Sequence, residues 1–267
     1  MEIKLWRELL DPYAQAVDEL ILKFNHIKQS YRSRGEYSPI EQVDGRLKTI
    51  SSILEKAQRK GFELDEMEEK LDDIAGIRII CQFVEDIDKV VDIIRARTDM
   101  RIKEEKDYIR ENKESGYRSY HIIIYYKVET LSGAKELQCE IQIRTLAMNF
   151  WATIEHSLQY KYPQNMPENV SVRLRNAAEA TVSLDEEMSY IRGEIIDAQN
   201  SFLIKANLVR DILNNIQNLY QKANKREIIK IQDEFFRIYR SDDLDELIRF
   251  HKELDIISEG YRSQSLN

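Results

Sequence analysis

Apolar residues recur at helical spacing between residues 4 and 32, where Leu5, Leu9, Val17, Leu20, Ile21, Phe24 and Ile27 form one stripe. This predicts an amphipathic helix, with Pro12 near its start as the point where it can break. Ser33 to Pro39 is a polar connection. A second helix is predicted from Asp44-Gly45 to about Lys60, ended by Gly61. On that helix Leu47, Ile50, Leu54 and Ala57 make one stripe, and Lys48, Ser52, Lys56 and Arg59 make another, so several donors project together. Taken alone, the second stripe is an ordinary solvated basic face. Ile77 to Phe83 reads as a buried strand with Gly76 at its mouth and Asp73 just before it. Arg78, Ile80 and Gln82 point one way along it; Ile77, Ile79, Cys81 and Phe83 point the other. A helix over 86–97 and a strand over about 100–107 follow.

Residues 119–129 and 135–144, rich in Ile, Tyr and Val, flank Leu131-Ser132-Gly133-Ala134 and predict an antiparallel hairpin. With Ser132-Gly133 as a two-residue loop, Tyr125 faces Glu140, Ile123 faces Gln142 and His121 faces Arg144. Period-two alternation puts these on one face and Ile122, Ile124, Cys139, Ile141 and Ile143 on the other. A slip of one residue would carry Glu140 onto the apolar face, so the pattern itself specifies the faces. One side suits a core. The other collects His121, Glu140, Gln142 and Arg144.

Thr145 can cap a helix to about Tyr160, with Leu146, Phe150 and Ile154 expected inward. After Pro163 and Pro167 the pattern from 168 to 220 is helical and highly charged, and Asp242 to Ser258 adds a further helix. This last third carries no cluster that suggests chemistry and reads as a helical cover or interaction module.

At 267 residues the chain can bury a substantial core. It has no long uncharged apolar run and no signal-peptide pattern, so a cytoplasmic protein with no membrane association is expected. Cys81 and Cys139 lie in apolar strand runs without CxxC spacing, which suits reduced buried thiols. The formal charge of -8 argues against a general nucleic-acid surface, though not against a local basic cleft.

Neither GxxxxGK[ST] nor GxGxxG occurs, so bound phosphates would have to be held by side chains. The four histidines, His26, His121, His156 and His251, are scattered and none precedes an Asp, which excludes a phosphohydrolase centre built on paired His and Asp ligands. What remains is two carboxylates at strand ends, Asp73 and Glu140, amid Arg and Lys. Carboxylates with phosphate oxygens are what a Mg²⁺ ion takes as ligands, and basic groups neutralise the remaining charge. That set suits phosphoryl transfer. Tyr117, in a Gly-containing turn, offers a ring on which a base can stack.

These residues carry a family resemblance. Asp72-Asp73-Ile74-Ala75-Gly76-Ile77-Arg78, Glu114-Ser115-Gly116-Tyr117-Arg118-Ser119-Tyr120-His121 and Glu140-Ile141-Gln142-Ile143-Arg144-Thr145, followed by Trp151-Ala152 and Glu155-His156, resemble the synthetase domain of the RelA/SpoT homologue family in order and spacing. The match runs from near residue 4 to about Gln199 without a hydrolase or regulatory domain, as in a stand-alone small alarmone synthetase of Gram-positive type. The resemblance implies an α+β fold, with a mixed, nucleotidyltransferase-like sheet and flanking helices over 1–199 and a helical extension over 200–267. It implies an enzyme transferring pyrophosphate from ATP to the ribose 3′-hydroxyl of GTP or GDP, giving (p)ppGpp and AMP in the stringent response, with no hydrolase activity. Asp73 resembles the Mg²⁺ ligand, and Glu140 the second carboxylate that assists the metal or takes the hydroxyl proton. Arg46 and Arg78 resemble the pair around adenine; Lys48, Ser52, Lys56 and Arg59 the ATP phosphate contacts. Tyr117 resembles the guanine-stacking residue, and Lys106, Lys113, Ser115, His121 and Gln142 line the acceptor side. A homotetramer is implied as well.

Some relatives bind product or RNA in a cleft of the homotetramer, using basic residues of the first helix and an aromatic near the second. Here the region shows Ile21, Asn25 and Gln42, with Lys23 and Lys28 as partial substitutes, so allosteric binding of RNA or (p)ppGpp is not expected. Two alternatives stand beside the main reading. One is a toxin-type pyrophosphokinase acting on tRNA or adenosine nucleotides, which the acidic charge disfavours for tRNA. The other is an idle RNA-binding or interaction protein, which the assembled site disfavours.

Overall fold

The computed structural model describes residues 2–63, 66–111, 114–161, 167–220 and 224–264. The chain divides into two compact units, Met1–Tyr190 and Ile191–Asn267. In the first, α1 (Glu2–Ser33), β1 (Gln42–Leu47), α2 (Ile50–Lys60), α3 (Met67–Lys70), β2 (Ala75–Cys81), α4 (Val84–Arg95), β3 (Arg101–Asp107), β4 (Tyr120–Thr130), β5 (Gly133–Thr145) and α5 (Leu146–Lys161) lead into α6 (Glu168–Leu219), which continues into the second. The five strands form one sheet in the order β1-β2-β5-β4-β3. β2 and β5 are parallel, and the other three pairs are antiparallel.

One face of this sheet is the core. Ile77, Ile79, Ile122, Ile124, Cys139, Ile141 and Ile143 are buried together with Tyr13, Leu20 and Phe24 of α1 and Ile87, Val90, Val91 and Ile94 of α4. α1 runs unbroken through Pro12, because the stripe from Tyr13 to Phe24 is seated on the sheet and its packing outweighs the lost backbone bond. Gly45 makes that seat possible. A Cβ at Gly45 would lie 2.5 Å from Val17 Cγ1 and 2.8 Å from Ile21 Cδ1, so only the bare backbone lets the helix approach.

Four expectations change. The segment from Asp44 to Leu47 is strand β1 rather than the start of a helix, because its backbone pairs with β2; α2 begins only at Ile50, capped by Thr49, and ends at Gly61 in the left-handed conformation. The hairpin partners differ by two residues: Ile123 stands opposite Glu140 and His121 opposite Gln142. Thr130 closes the turn, its hydroxyl donating to Gly133 O at 2.7 Å and accepting from Ser132 N at 3.1 Å, so the loop is Leu131-Ser132. An even shift preserves both faces. On α5 the residues expected inward, Leu146, Phe150 and Ile154, are 51%, 66% and 41% exposed, while Met148, Trp151, Ala152 and Glu155 are buried. α5 offers apolar groups on two sides, and the side bearing Trp151 is chosen because its Nε1 donates to Leu174 O of α6 at 2.9 Å. Finally α7 (Lys225–Ser241), unassigned from its sequence, precedes α8 (Leu244–Gln264).

In the second unit Ile212, Ile216 and Leu219 of α6 share a core with Ile228, Phe235 and Ile238 of α7 and Leu247, Phe250 and Leu254 of α8. Among the described residues no helix is long and apolar enough to cross a membrane.

Two stability predictions follow from this packing. Gly45→Ala should lower stability by about 1–3 kcal/mol through overpacking, and Val17→Ala in the same chain should restore part of it, as read from denaturant midpoints. The second concerns Asp185 of α6, whose carboxylate accepts from Thr145 Oγ1 at 2.7 Å; burial pushes its carboxyl up to about 6. A folded-state value raised above the unfolded one leaves the fold most stable below the unfolded value of 3.8, and that stability is lost as pH rises from there through about 6. Asp185→Asn should therefore flatten the fall in thermal midpoint between about pH 4 and 6.5; an unchanged slope refutes the assignment.

Candidate active site

The second face of the sheet is polar, and its registers align the side chains in rows. Asp44, Arg78, Gln142, His121 and Lys106 pair in turn across all five strands. In the next row Arg46 pairs with Gly76, Gly76 with Glu140 and Glu140 with Ile123. Directly paired residues share a face, so backbone pairing alone brings six of the expected residues together.

At one end of these rows, β1 leaves the sheet where β2 enters. Lys48 N donates to Ile74 O at 2.8 Å, which holds the start of α2 beside Asp73. Lys48 Nζ lies 2.6 Å from Asp73 Oδ2, and Lys56 Nζ, in the second turn of α2, lies 2.9 Å from Oδ1. Burial alone would raise the Asp73 carboxyl; the two ammonium groups outweigh it and hold the value below the ordinary range. Oδ1 is buried and, with Lys56 beside it as an ion pair, makes no hydrogen bond of proper geometry among the described residues. Ser52 and Arg59 line the same hollow, about 1030 Å³, with Arg46, Lys48 and Lys56. Its far wall is Thr153, His156 and Ser157 of α5, to which the sequence pattern assigns no role. Their spacing of three and four on one helix is the signal that they share a face.

Glu140 lies between the two ends. His121 Nδ1 is 2.9 Å from its Oε1, and Gln142 Nε2 donates to its Oε2 at 2.8 Å. Burial again raises the carboxyl, and the bonds from His121 and Gln142 reverse this, so Glu140 stays below its ordinary value. The Asp73 charge opposes that reversal, which places the two carboxylates within each other's field. Among the described residues no three His, Cys, Asp or Glu side chains gather around one point that would hold a metal. A cation at Asp73 and Glu140 would therefore need phosphate oxygens to complete its shell, which matches the coordination habit of Mg²⁺. The undirected lone pair on Asp73 Oδ1 fits such a ligand.

At the other end, Gly116 (φ +86°) turns the chain against α6, where a Cβ would fall 2.5 Å from Ala178 Cβ. This seats Tyr117, whose ring meets Tyr108 and His121 edge-on at 6.1 and 5.9 Å. Ser115 is exposed, its Oγ accepting from Tyr117 N at 3.3 Å. Lys106 pairs with Glu104 at 2.9 Å, and Lys113 lies outside the described residues. Between the ends, Arg78 Nε is buried with no hydrogen-bond partner among the described residues. Burial, Arg144 and Arg46 all push its guanidinium below its ordinary value, so three like charges converge. Such a cluster calls for an anion or an aromatic face. Arg144 lies on the polar face by the strand alternation alone, which assigns it no role.

A model of the region found in RelA/SpoT proteins matches residues 45–165. The GTP pyrophosphokinase YjbM of Bacillus subtilis (strain 168) is 55% identical over 202 residues, covering 76% of this chain and 95% of that one. The crystal structure of small alarmone synthetase 1 from Bacillus subtilis bound to its product pppGpp is similar with a TM-score of 0.70 and 56% identity, over 72% of this chain and 98% of that one. The same synthetase bound to AMPCPP matches with a TM-score of 0.65 and 50% identity, over 73% of this chain and 99% of that one. With the polar rows, the two carboxylates and the basic hollow in place, this likeness over nearly the whole length of its relatives shows that the chain belongs to the RelA/SpoT family.

Proposed function

We propose that the chain is a GTP pyrophosphokinase: it transfers pyrophosphate from ATP to the 3′-hydroxyl of GTP or GDP and releases (p)ppGpp and AMP. The observation that carries this reading is the placement of two ionised carboxylates, Asp73 and Glu140, between a basic hollow on one side and an aromatic, hydrogen-bonding corner on the other. Lys48, Ser52, Lys56 and Arg59 take the ATP phosphates, and Arg46 and Arg78 flank adenine. Tyr117 stacks on guanine, with Lys106, Ser115, His121 and Gln142 around the acceptor and Lys113 assigned by resemblance alone. Glu140, ionised because His121 and Gln142 donate to it, takes the hydroxyl proton as the 3′-oxygen bonds to the β-phosphorus and the bond to AMP breaks. A Mg²⁺ ion at Asp73 and Glu140 would supply neutralisation of the charge on the transferred group.

The protein works as a cytoplasmic homotetramer in the stringent response. Activation by RNA or (p)ppGpp is not part of the reading. Ile21 is packed on the core, and Gln42 donates to Asp44 at 2.8 Å. Lys23 pairs with Asp99 at 2.7 Å and Lys28 donates to the Glu41 carbonyl, so neither stands in for a free cation.

Incubation with Mg²⁺, labelled ATP and GMP, GDP, GTP or uncharged tRNA tests the reading: label on the guanosine 3′-position with matching AMP is expected, and label on tRNA or on an adenosine acceptor overturns it. Glu140→Gln should lower turnover by about 10²–10⁴-fold, the range for a lost general base, and Asp73→Asn, which removes a charged ligand for the cation, should lower it as well, with unfolding midpoints little changed. Full turnover in a folded Asp73→Asn protein would remove Asp73 from the site.

A further inference from the structure

Arg144 is a buried cation, 5% exposed, and among the described residues no carboxylate pairs with it. Its partners are neutral. Nε donates to Ser119 Oγ at 3.2 Å, and Nη2 donates to Tyr117 Oη at 2.5 Å and to Gln142 Oε1 at 2.8 Å. Burying a guanidinium on neutral acceptors is costly unless it neutralises a charge further off.

That charge is Glu140, and two arms reach it. In one, Arg144 donates to Tyr117 Oη, Tyr117 Oη lies 2.8 Å from His121 Nε2, and His121 Nδ1 lies 2.9 Å from Glu140 Oε1. In the other, Arg144 donates to Gln142 Oε1 and Gln142 Nε2 donates to Glu140 Oε2 at 2.8 Å. Five side chains thus close a ring, and one arrangement of protons satisfies all of them. Arg144 gives two, Tyr117 gives its hydroxyl proton to His121 Nε2, neutral His121 gives Nδ1–H to Glu140, and Gln142 gives an amide proton to Glu140. Burial pushes the Tyr117 phenol up, which keeps that proton on the hydroxyl. Every bond in the ring points from the cation to the carboxylate, and such chains reinforce one another.

We propose that Arg144 and the Tyr117 hydroxyl are positioning residues for the reaction proposed above: through His121 and Gln142 they hold Glu140 by both oxygens and aim it at the acceptor. The inference rests on Glu140 being the group that receives the 3′-hydroxyl proton. It gives Tyr117 two separable tasks. The ring offers a face to guanine, and the hydroxyl orients the base.

Tyr117→Phe separates them, because it keeps the ring and removes only the oxygen. The expected result is a fall in kcat of about tenfold, the scale of a misaligned catalytic group, with KM for GTP or GDP changed less than about twofold. Arg144→Lys keeps the charge but ends short of the Nη2 position that serves both arms and loses the Nε donor to Ser119, and it should show the same kcat-against-KM split. The double variant should be no slower than the slower single one, because both act through one ring. Should Arg144→Lys fail to fold, Tyr117→Phe still decides. Wild-type kcat in Tyr117→Phe, or losses that multiply in the double variant, overturns the inference while leaving the pyrophosphokinase reading intact. A wild-type protein that transfers nothing to guanosine nucleotides overturns both.

Discussion

The parallel pairing of β2 with β5 is the constraint on which the rest depends. It sets Gly76 against Glu140 and Arg78 against Gln142, and through β1 and β4 the same rows reach Arg46 and His121. A slip of one residue between β2 and β5 would turn Glu140 and Gln142 into the core and bring Ile141 to the surface. Gly76 belongs to this register, paired with Arg46 on one side and Glu140 on the other, and it leaves that part of the polar face without a side chain.

The electrostatics follow from that geometry. Asp73 and Glu140 are buried enough to lose much of their hydration, and each is kept ionised by different means, two ammonium groups for one and His121 with Gln142 for the other. The difference matters chemically. A carboxylate tied to lysines suits charge binding, whereas one held by His121 and Gln142 is kept ionised and oriented to receive a proton from a hydroxyl. Around them Arg46, Arg78 and Arg144 concentrate positive charge on a chain whose net charge is -8, so the net value describes the whole surface and says little of the site.

Where sequence and structure part, tertiary packing is the reason. Asp44 to Leu47 carries residues that suit either a helix or a strand, and a partner strand, Ala75 to Arg78, decides between them. α5 has two apolar sides, and only the position of α6 selects the one that is buried. The hairpin loop is displaced by one residue at each end because Thr130 supplies hydrogen bonds that a count of turn residues does not reveal.

The sequence by itself determined the alternation that separates an apolar from a polar sheet face, the basic stripe leading into α2, and the pair Asp73 and Glu140, because these depend on local period and residue chemistry. It also carried the motifs by which the family is recognised. Only the tertiary structure decided that Lys48 and Lys56 meet on Asp73, that α5 walls the basic hollow with Thr153, His156 and Ser157, and that Arg144 reaches Glu140 by two routes. Such contacts join residues brought side by side by strand pairing and helix packing, and no periodicity along the chain records a distance between elements.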